Sequence, residues 1–424
     1  MTRAGLVALA VLLAACATTS ANRHAVRVSP VAKLIPANSA SVGMAPDLGA
    51  RLDSIVSVGI KEGAAPGVAL AVGRWGRLIH LRGYGRIDVA PDAAPVTDST
   101  MFDMASLTKV VATTTAAMIL EDQGRLNLDA PIHNYLPEID DSAKAGITVR
   151  MVLTHSGGFE AFAPLWREYR GRAEYLKQIN ARPLAYVPGD SVIYSDWDFV
   201  LAGLIIERIT GMPLDQFLAT GVWQPLGMRE TGFNPLASVA IPADSACTAT
   251  FRADNPLLRR IAATEEDTVY RHTHVHGIVH DENACALGGV AGHAGLFSSA
   301  RDVAAFSQML LNGGQYGGVW LVQPTTVARW TARQSRRSSR AIGWDTPSER
   351  SSAGHYFSPR SFGHTGFTGT SIWVDPERGL FVVLLTNRVD PTRANMRHEA
   401  LRRDIADAVQ GAIVDAPLVE WRTP

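Results

Sequence analysis

Strand-like segments cluster near the two ends of this chain, and that distribution restricts its possible folds more than any other feature. Near the front, "GVALAVGRWGRLIHLRGYGRID" (residues 67–88) alternates and is interrupted by Gly73 and Gly76, which predicts two antiparallel strands joined at "GRWG". Near the end, "GTSIWVDPERGLFVVLLTNR" (369–388) places a "DPERG" turn between two apolar runs, the pattern of a second hairpin. Between them, "SDWDFVLAGLIIERITG" and "RDVAAFSQMLLNGG" carry helical periodicity. A helix ending on Gly63 precedes the first hairpin, and "RANMRHEALRRDIADAVQGAIV" closes the chain as another. The expected fold is therefore α+β, an α/β sandwich. Its antiparallel sheet is built from about 47–105 and 341–424, is flanked by helices, and carries an inserted, mostly helical region at about 106–340. A cleft between sheet and insertion is where chemistry is expected.

The body is expected to span 47–424, preceded by two segments of different character. Arg3 and the apolar run Leu6–Ala15 have the length of an export signal and are too short to span a bilayer as a mature helix. The run ends in "LAAC", which resembles the bacterial lipobox, so 1–16 reads as a lipoprotein signal peptide with Cys16 as the lipidated residue. Residues 17–46, rich in Ala, Ser, Thr and Pro, read as a flexible tether. Export to the periplasmic side as a lipoprotein follows, and the uncharged Ala17 favours the outer membrane; a soluble exported protein is the alternative. The expected membrane contact is that lipid anchor. Forty basic residues balance forty acidic ones, so no net field recruits nucleic acid. Cys247 and Cys285 either pair or stay as two buried thiols.

The chemistry starts from "MASLTKV", residues 104–110. Residues three apart share a helix face, so the Ser106 hydroxyl and the Lys109 amine can meet there. A serine hydroxyl needs a neighbouring base to become a nucleophile. A second candidate base is Tyr194 in "YSD", and a third polar cluster, His364-Thr365-Gly366, stands at the front of the first strand of the terminal hairpin. Ser-x-x-Lys, then the tyrosine, then a polar-Thr-Gly triplet, in that order, resemble the three motifs of the serine β-lactamase and penicillin-binding protein superfamily. The likeness covers the chain from about Asp47 to the last helix, includes "LTHSGGF" at 153–159, and is nearest the branch of class C β-lactamases, D,D-carboxypeptidases and esterases.

What the resemblance implies is a serine hydrolase that forms an acyl-enzyme on Ser106, with Lys109 or Tyr194 as general base. It places the oxyanion hole at the N–H groups of Ser106 and Phe367, and a small-molecule or peptide acyl substrate against Asp196, His364, Thr365 and Gly366. It implies no metal and no cofactor. Two departures bear on the substrate. Asp196 stands where the superfamily usually has asparagine, and a carboxylate can only accept hydrogen bonds. His364 stands where lysine is usual, which weakens attraction for a substrate carboxylate. Both favour neutral carboxylic esters or related acyl substrates over D,D-carboxypeptidase and β-lactamase activity. An acylated ligand sensor without turnover is the reading of a different class.

The run "YRHTHVHGIVHDENA" offers His272, His274, His276 and His280 beside Asp281 and Glu282. Histidines alternating along a strand face one way and, with a carboxylate, can hold zinc. No HExxH spacing is present, and the expected reading is a polar loop. His293 and His155 are read as structural, the second as the organiser of a turn.

Overall fold

The computed structural model describes residues 33–236, 255–349 and 351–420. The central sheet has six strands: β1 (Ile35–Pro36), β2 (Gly67–Arg74), β3 (Arg77–Gly85), β9 (Phe362–Thr365), β10 (Ser371–Asp375) and β11 (Leu380–Thr386), in the spatial order β1-β3-β2-β11-β10-β9. Five further strands bear on the site, β4 (Phe102–Asp103), β5 (Gly232–Phe233), β6 (Ala263–Asp267), β7 (Thr273–His276) and β8 (Leu296–Ser298), and a separate two-stranded hairpin joins Gln315–Tyr316 to Val319–Trp320. β2 and β3 form the expected hairpin, with Trp75 and Gly76 both at positive φ (51° and 74°) in the connecting turn, which is what a tight hairpin requires. The two ends of the chain are joined by β2 and β11, antiparallel with Val68 opposite Thr386 and Val72 opposite Val382.

Alternation divides the sheet residues between two cores. Val68, Leu70 and Val72 face the helices α1 (Leu48–Lys61) and α5 (His398–Gly411), whose buried positions Leu48, Leu52, Val56 and Leu401, Ile405, Val409 recur every four residues. Ala69 and Ala71 turn the other way, against the helix α4 (Ala300–Leu311) and the core of the inserted region. Their small size lets α4 approach the sheet closely.

The structure departs from expectation in three places. Residues 33–46, expected as the end of the tether, are packed: β1 adds in parallel to the edge of β3, and Val42 and Met44 are buried in the α1/α5 core. The Ala-, Ser- and Pro-rich composition hid that short stretch of burial. The triplet 364–366 does not open the terminal hairpin but ends its own edge strand, β9, because the chain reverses through 366–369 with Gly369 at φ +97°. The inserted region, expected to be mostly helix and loop, also holds the small sheet β4-β8-β5 and the hairpin β6–β7. Among the described residues no helix is long and apolar enough to cross a membrane. The signal segment, Cys16 and Cys247 lie outside the described residues. Cys285 is buried and disulfide-bonded.

Candidate active site

Ser106 sits on a sharp turn rather than inside a helix. Ala105 before it is held at φ +44°, a conformation that costs a residue with a side chain, and Asp103 secures it by accepting the Ala105 N–H at 2.7 Å. Beyond Ser106 the chain winds into a wide π-type turn, Lys109–Thr114, continuous with the helix α2 (Thr115–Asp122). This places Lys109 one turn below the serine and fully buried.

The Lys109 ammonium is saturated. It donates to Ser106 Oγ (3.1 Å), Asp196 Oδ1 (2.8 Å) and the His293 carbonyl (3.1 Å). Burial alone would lower its proton affinity, but Asp196 and then Tyr194 outweigh that and hold it above the ordinary lysine range. Three N–H groups for three acceptors describe a cation, and a cation has no lone pair with which to take a proton.

Tyr194 enters just before the helix α3 (Asp196–Thr210), with its ring 4.8 Å from Lys109 Nζ. It lines the same cavity of about 470 Å³ as Ser106, His364, Thr365, Gly366 and Phe367. Among the described residues no direct hydrogen bond joins the Tyr194 and Ser106 hydroxyls, a looseness common before substrate binds. Behind the tyrosine lies His155, at φ +57°, its ring 4.5 Å from that of Tyr194. Its carbonyl accepts from Ile193 N–H and from the Tyr186 hydroxyl, the turn-organising part expected of it. The Ser195 N–H points at His155 Nδ1 from 3.2 Å, and the Asp198 carboxyl stands 3.1 Å from the same nitrogen. Burial raises the Asp198 proton affinity well above the carboxylate range, against the opposing pull of Lys109.

The two residues expected to form the oxyanion hole, Ser106 and Phe367, stand on segments that are bonded together. The loop 366–370 is drawn onto the serine turn by Thr368 Oγ1, bonded to the Asp103 carbonyl (2.7 Å), and Thr370 Oγ1, bonded to the Met104 carbonyl (3.1 Å). Arg402, buried on α5, donates to the carbonyls of Gly366, Gly369 and Thr370 (2.8, 3.0 and 2.7 Å). The N–H groups of Ser106 and Phe367 have no partner among the described residues, and both residues line the cavity.

Other predicted residues play different parts. Asp196 gives one oxygen to Lys109 rather than facing the cavity wall. His364 is buried, its Nδ1 tied to the Thr365 carbonyl at 2.8 Å; burial, then Arg340 and Lys109, keep it neutral. His293 is buried with its ring on Asp281 at 2.9 Å, and it serves the site through its carbonyl. Sequence reasoning missed Asp103, Asp198 and Arg402, and above all Arg340, whose guanidinium stands 5.2 Å from the Tyr194 ring on the cavity wall. Arg340 lies in "RRSSRAIGW", where nothing distinguishes it from its neighbours.

Residues 52–407 match the family model described as Beta-lactamase. The chain belongs to the beta-lactamase family. It is a hydrolase of the serine β-lactamase superfamily, and its α+β architecture is the one seen in solved relatives. A protein of Salmonella agona (strain SL483), named "Putative D-alanyl-D-alanine carboxypeptidase", is 35% identical over 316 residues, which cover 70% of this chain and 72% of that one. The family fold recurs in EstCE1, a hydrolase with promiscuous acyltransferase activity (TM-score 0.66, 24% identity, 86% of this chain and 99% of that one). It recurs also in a penicillin-binding protein homologue from Caulobacter crescentus (TM-score 0.66, 20% identity, 87% and 99%).

Proposed function

We propose that this protein is a serine acyl hydrolase that removes the last residue from a peptide ending in a free carboxylate, a reaction of the D-alanyl-D-alanine carboxypeptidase type. The observation that carries the substrate class is Arg340, a cation on the cavity wall with no carboxylate partner among the described residues. A guanidinium pairs with a carboxylate through two parallel N–H donors. It offers the charge that His364, neutral and buried, does not. The 35% identical relative bears a carboxypeptidase name, which agrees with this reading.

In the proposed sequence, Ser106 Oγ attacks the penultimate carbonyl while its proton passes to the Tyr194 oxygen and the Tyr194 hydroxyl gives its own to the departing nitrogen, since Lys109 is engaged as an ammonium. The Ser106 and Phe367 N–H groups hold the oxyanion, and the departing amine recovers the proton. Water then cleaves the acyl ester. A second reading, hydrolysis of neutral esters, is favoured by the absence of a cation on strand β9 itself.

A panel of a D-alanyl-D-alanine peptide, a short chromogenic ester and a cephalosporin, run with Ser106→Ala beside the parent protein, tests this. The expected result is sustained release of D-alanine that vanishes in the variant. Ester turnover alone transfers the assignment to the second reading, and stoichiometric penicillin labelling without turnover makes the protein a sensor. Unchanged turnover in Ser106→Ala removes the mechanism.

The anchored, exported location belongs to the same proposal and rests on "LAAC" alone. Metabolic labelling with a fatty-acid probe, lost in Cys16→Ser, is the expected outcome.

A further inference from the structure

The histidine-rich run forms the hairpin β6–β7 and delivers two of its histidines to one place. His274 and His276 project from β7 to the same side, as alternate residues of a strand must, and meet Asp88 from the loop after β3. One donor atom from each of the three lies within 4.8 Å of the others.

The hydrogen bonding of these rings is that of metal ligands. His276 points Nε2 at the Ile261 carbonyl, 2.7 Å away, so that nitrogen donates and Nδ1 keeps its lone pair. His274 contacts a carboxylate on each side: Nδ1 is 3.2 Å from Glu266 and Nε2 is 2.9 Å from Asp88. A neutral imidazole has one N–H, so in that form one of these contacts sets a lone pair against a carboxylate oxygen, a clash that a bound cation or a second ring proton removes. With Glu266 accepting from Nδ1, Nε2 and Asp88 face each other as two ligands. A carboxylate behind a ligating histidine and a backbone carbonyl behind another are the usual outer partners of a metal centre.

A separate residue points to the same conclusion. Asp390 is 2% exposed, and its Oδ1 has no hydrogen-bond partner, while Oδ2 accepts the Val89 N–H next to Asp88. Asp88, His274 and Glu266 all lie within its electrostatic reach. Asp88 and Glu266 thus flank His274, and Asp390 is held beside Asp88 through the Val89 N–H.

We propose that Asp88, His274 through Nε2 and His276 through Nδ1 bind a divalent ion of the zinc type, with Glu266 and the Ile261 carbonyl orienting the rings. Two imidazoles and a carboxylate are a zinc donor set, and donor atoms within 4.8 Å of one another need to draw in to about 3.3 Å, a side-chain adjustment, to share a tetrahedral centre about 2 Å from each. The ion fastens the hairpin to the loop after β3. That hairpin also carries Glu265, which holds His280 at 2.8 Å, and the His280 ring stacks 5.6 Å from Phe367 beside the cavity. The centre is structural: none of its ligands lines the cavity.

The test is titration of chelator-treated full-length protein with Zn²⁺ alone, followed by calorimetry and by thermal unfolding, with Co²⁺ absorption reporting the geometry. Expected are one equivalent bound at micromolar concentration or tighter, a higher Tm with Zn²⁺, and a tetrahedral Co²⁺ spectrum. His274→Ala and His276→Ala each abolish these effects, and Glu266→Gln, at a half-exposed position, weakens binding about 10-fold while leaving the ligands in place. Absence of binding up to about 100 µM overturns the proposal. Binding that survives in the His274→Ala/His276→Ala double variant also overturns it.

Discussion

The Lys109 ammonium and the Asp196 carboxylate form an ion pair at 2.8 Å, with the lysine side chain wholly shielded from water and the aspartate partly exposed. A charge this deeply buried persists only while its partner does. Asp196 therefore acts on the reaction by keeping the residue beneath the nucleophile positive.

That role gives Asp196→Asn a pH signature. With its proton affinity raised, Lys109 stays charged through neutral pH and loses its proton, and the stability of the pair, only at high pH. Without the carboxylate the affinity falls, so the alkaline limb of kcat/KM moves toward neutrality. The plateau drops about 10-fold, equal to about 1.4 kcal/mol for one charge-assisted hydrogen bond. A pH–rate profile whose alkaline limb stays in place contradicts this.

Arg340→Ala should separate substrates by charge. Loss of a carboxylate–guanidinium contact is worth about 1.5–3 kcal/mol, so kcat/KM for a peptide with a free C-terminus falls roughly 10- to 100-fold. The rate on a neutral ester stays within about 3-fold, because that substrate has nothing for the cation to hold. Equal losses on both substrates would show that Arg340 serves Tyr194 instead.

Asp198→Asn should stabilise the protein in a pH-dependent way. In the folded chain burial keeps Asp198 protonated, whereas the unfolded chain ionises above about pH 3.9. From there upward the native state binds the extra proton, so the parent protein loses stability as pH rises. The amide pays no such penalty. Denaturant unfolding is expected to show equal stabilities near pH 4 and a more stable variant at pH 7.

Arg402→Met tests whether the loop bearing Phe367 is held from behind. Three buried carbonyls lose their donor, which costs roughly 3 kcal/mol in urea unfolding. Because Arg402 holds the loop through its carbonyls, kcat falls more than KM rises, the mark of a displaced oxyanion donor. A matched change in both parameters would indicate a loss of folded protein only.

What could be read from the sequence was local or ordered along the chain. The two hairpins, the closing helix and the Ser106–Lys109 turn follow from periodicity and turn residues, and the three motifs kept their order. Arg340 and Arg402 were invisible for opposite reasons. Arg340 sits among other arginines in an irregular stretch, and Arg402 in the helix sequence "RHEALRR" has the look of a solvent-facing charge while it spends its donors inside the protein. Asp198 was hidden because an acidic residue in the first turn of a helix is expected for the helix's own sake. In each case burial against a distant segment decides the role. Residues 33–46 illustrate the same limit, since two edge residues and two buried apolar side chains leave too short a period to detect.

The antiparallel union of β2 with β11 brings Val68 against Thr386, across most of the length of the chain. A polypeptide made from its amino end exposes Ser106 and Lys109 long before Phe367 exists to complete the pocket. The nascent molecule therefore carries its nucleophile unarmed until the final strands arrive, and such distant pairing makes folding slow. Chemical competence is thus coupled to completion of the fold.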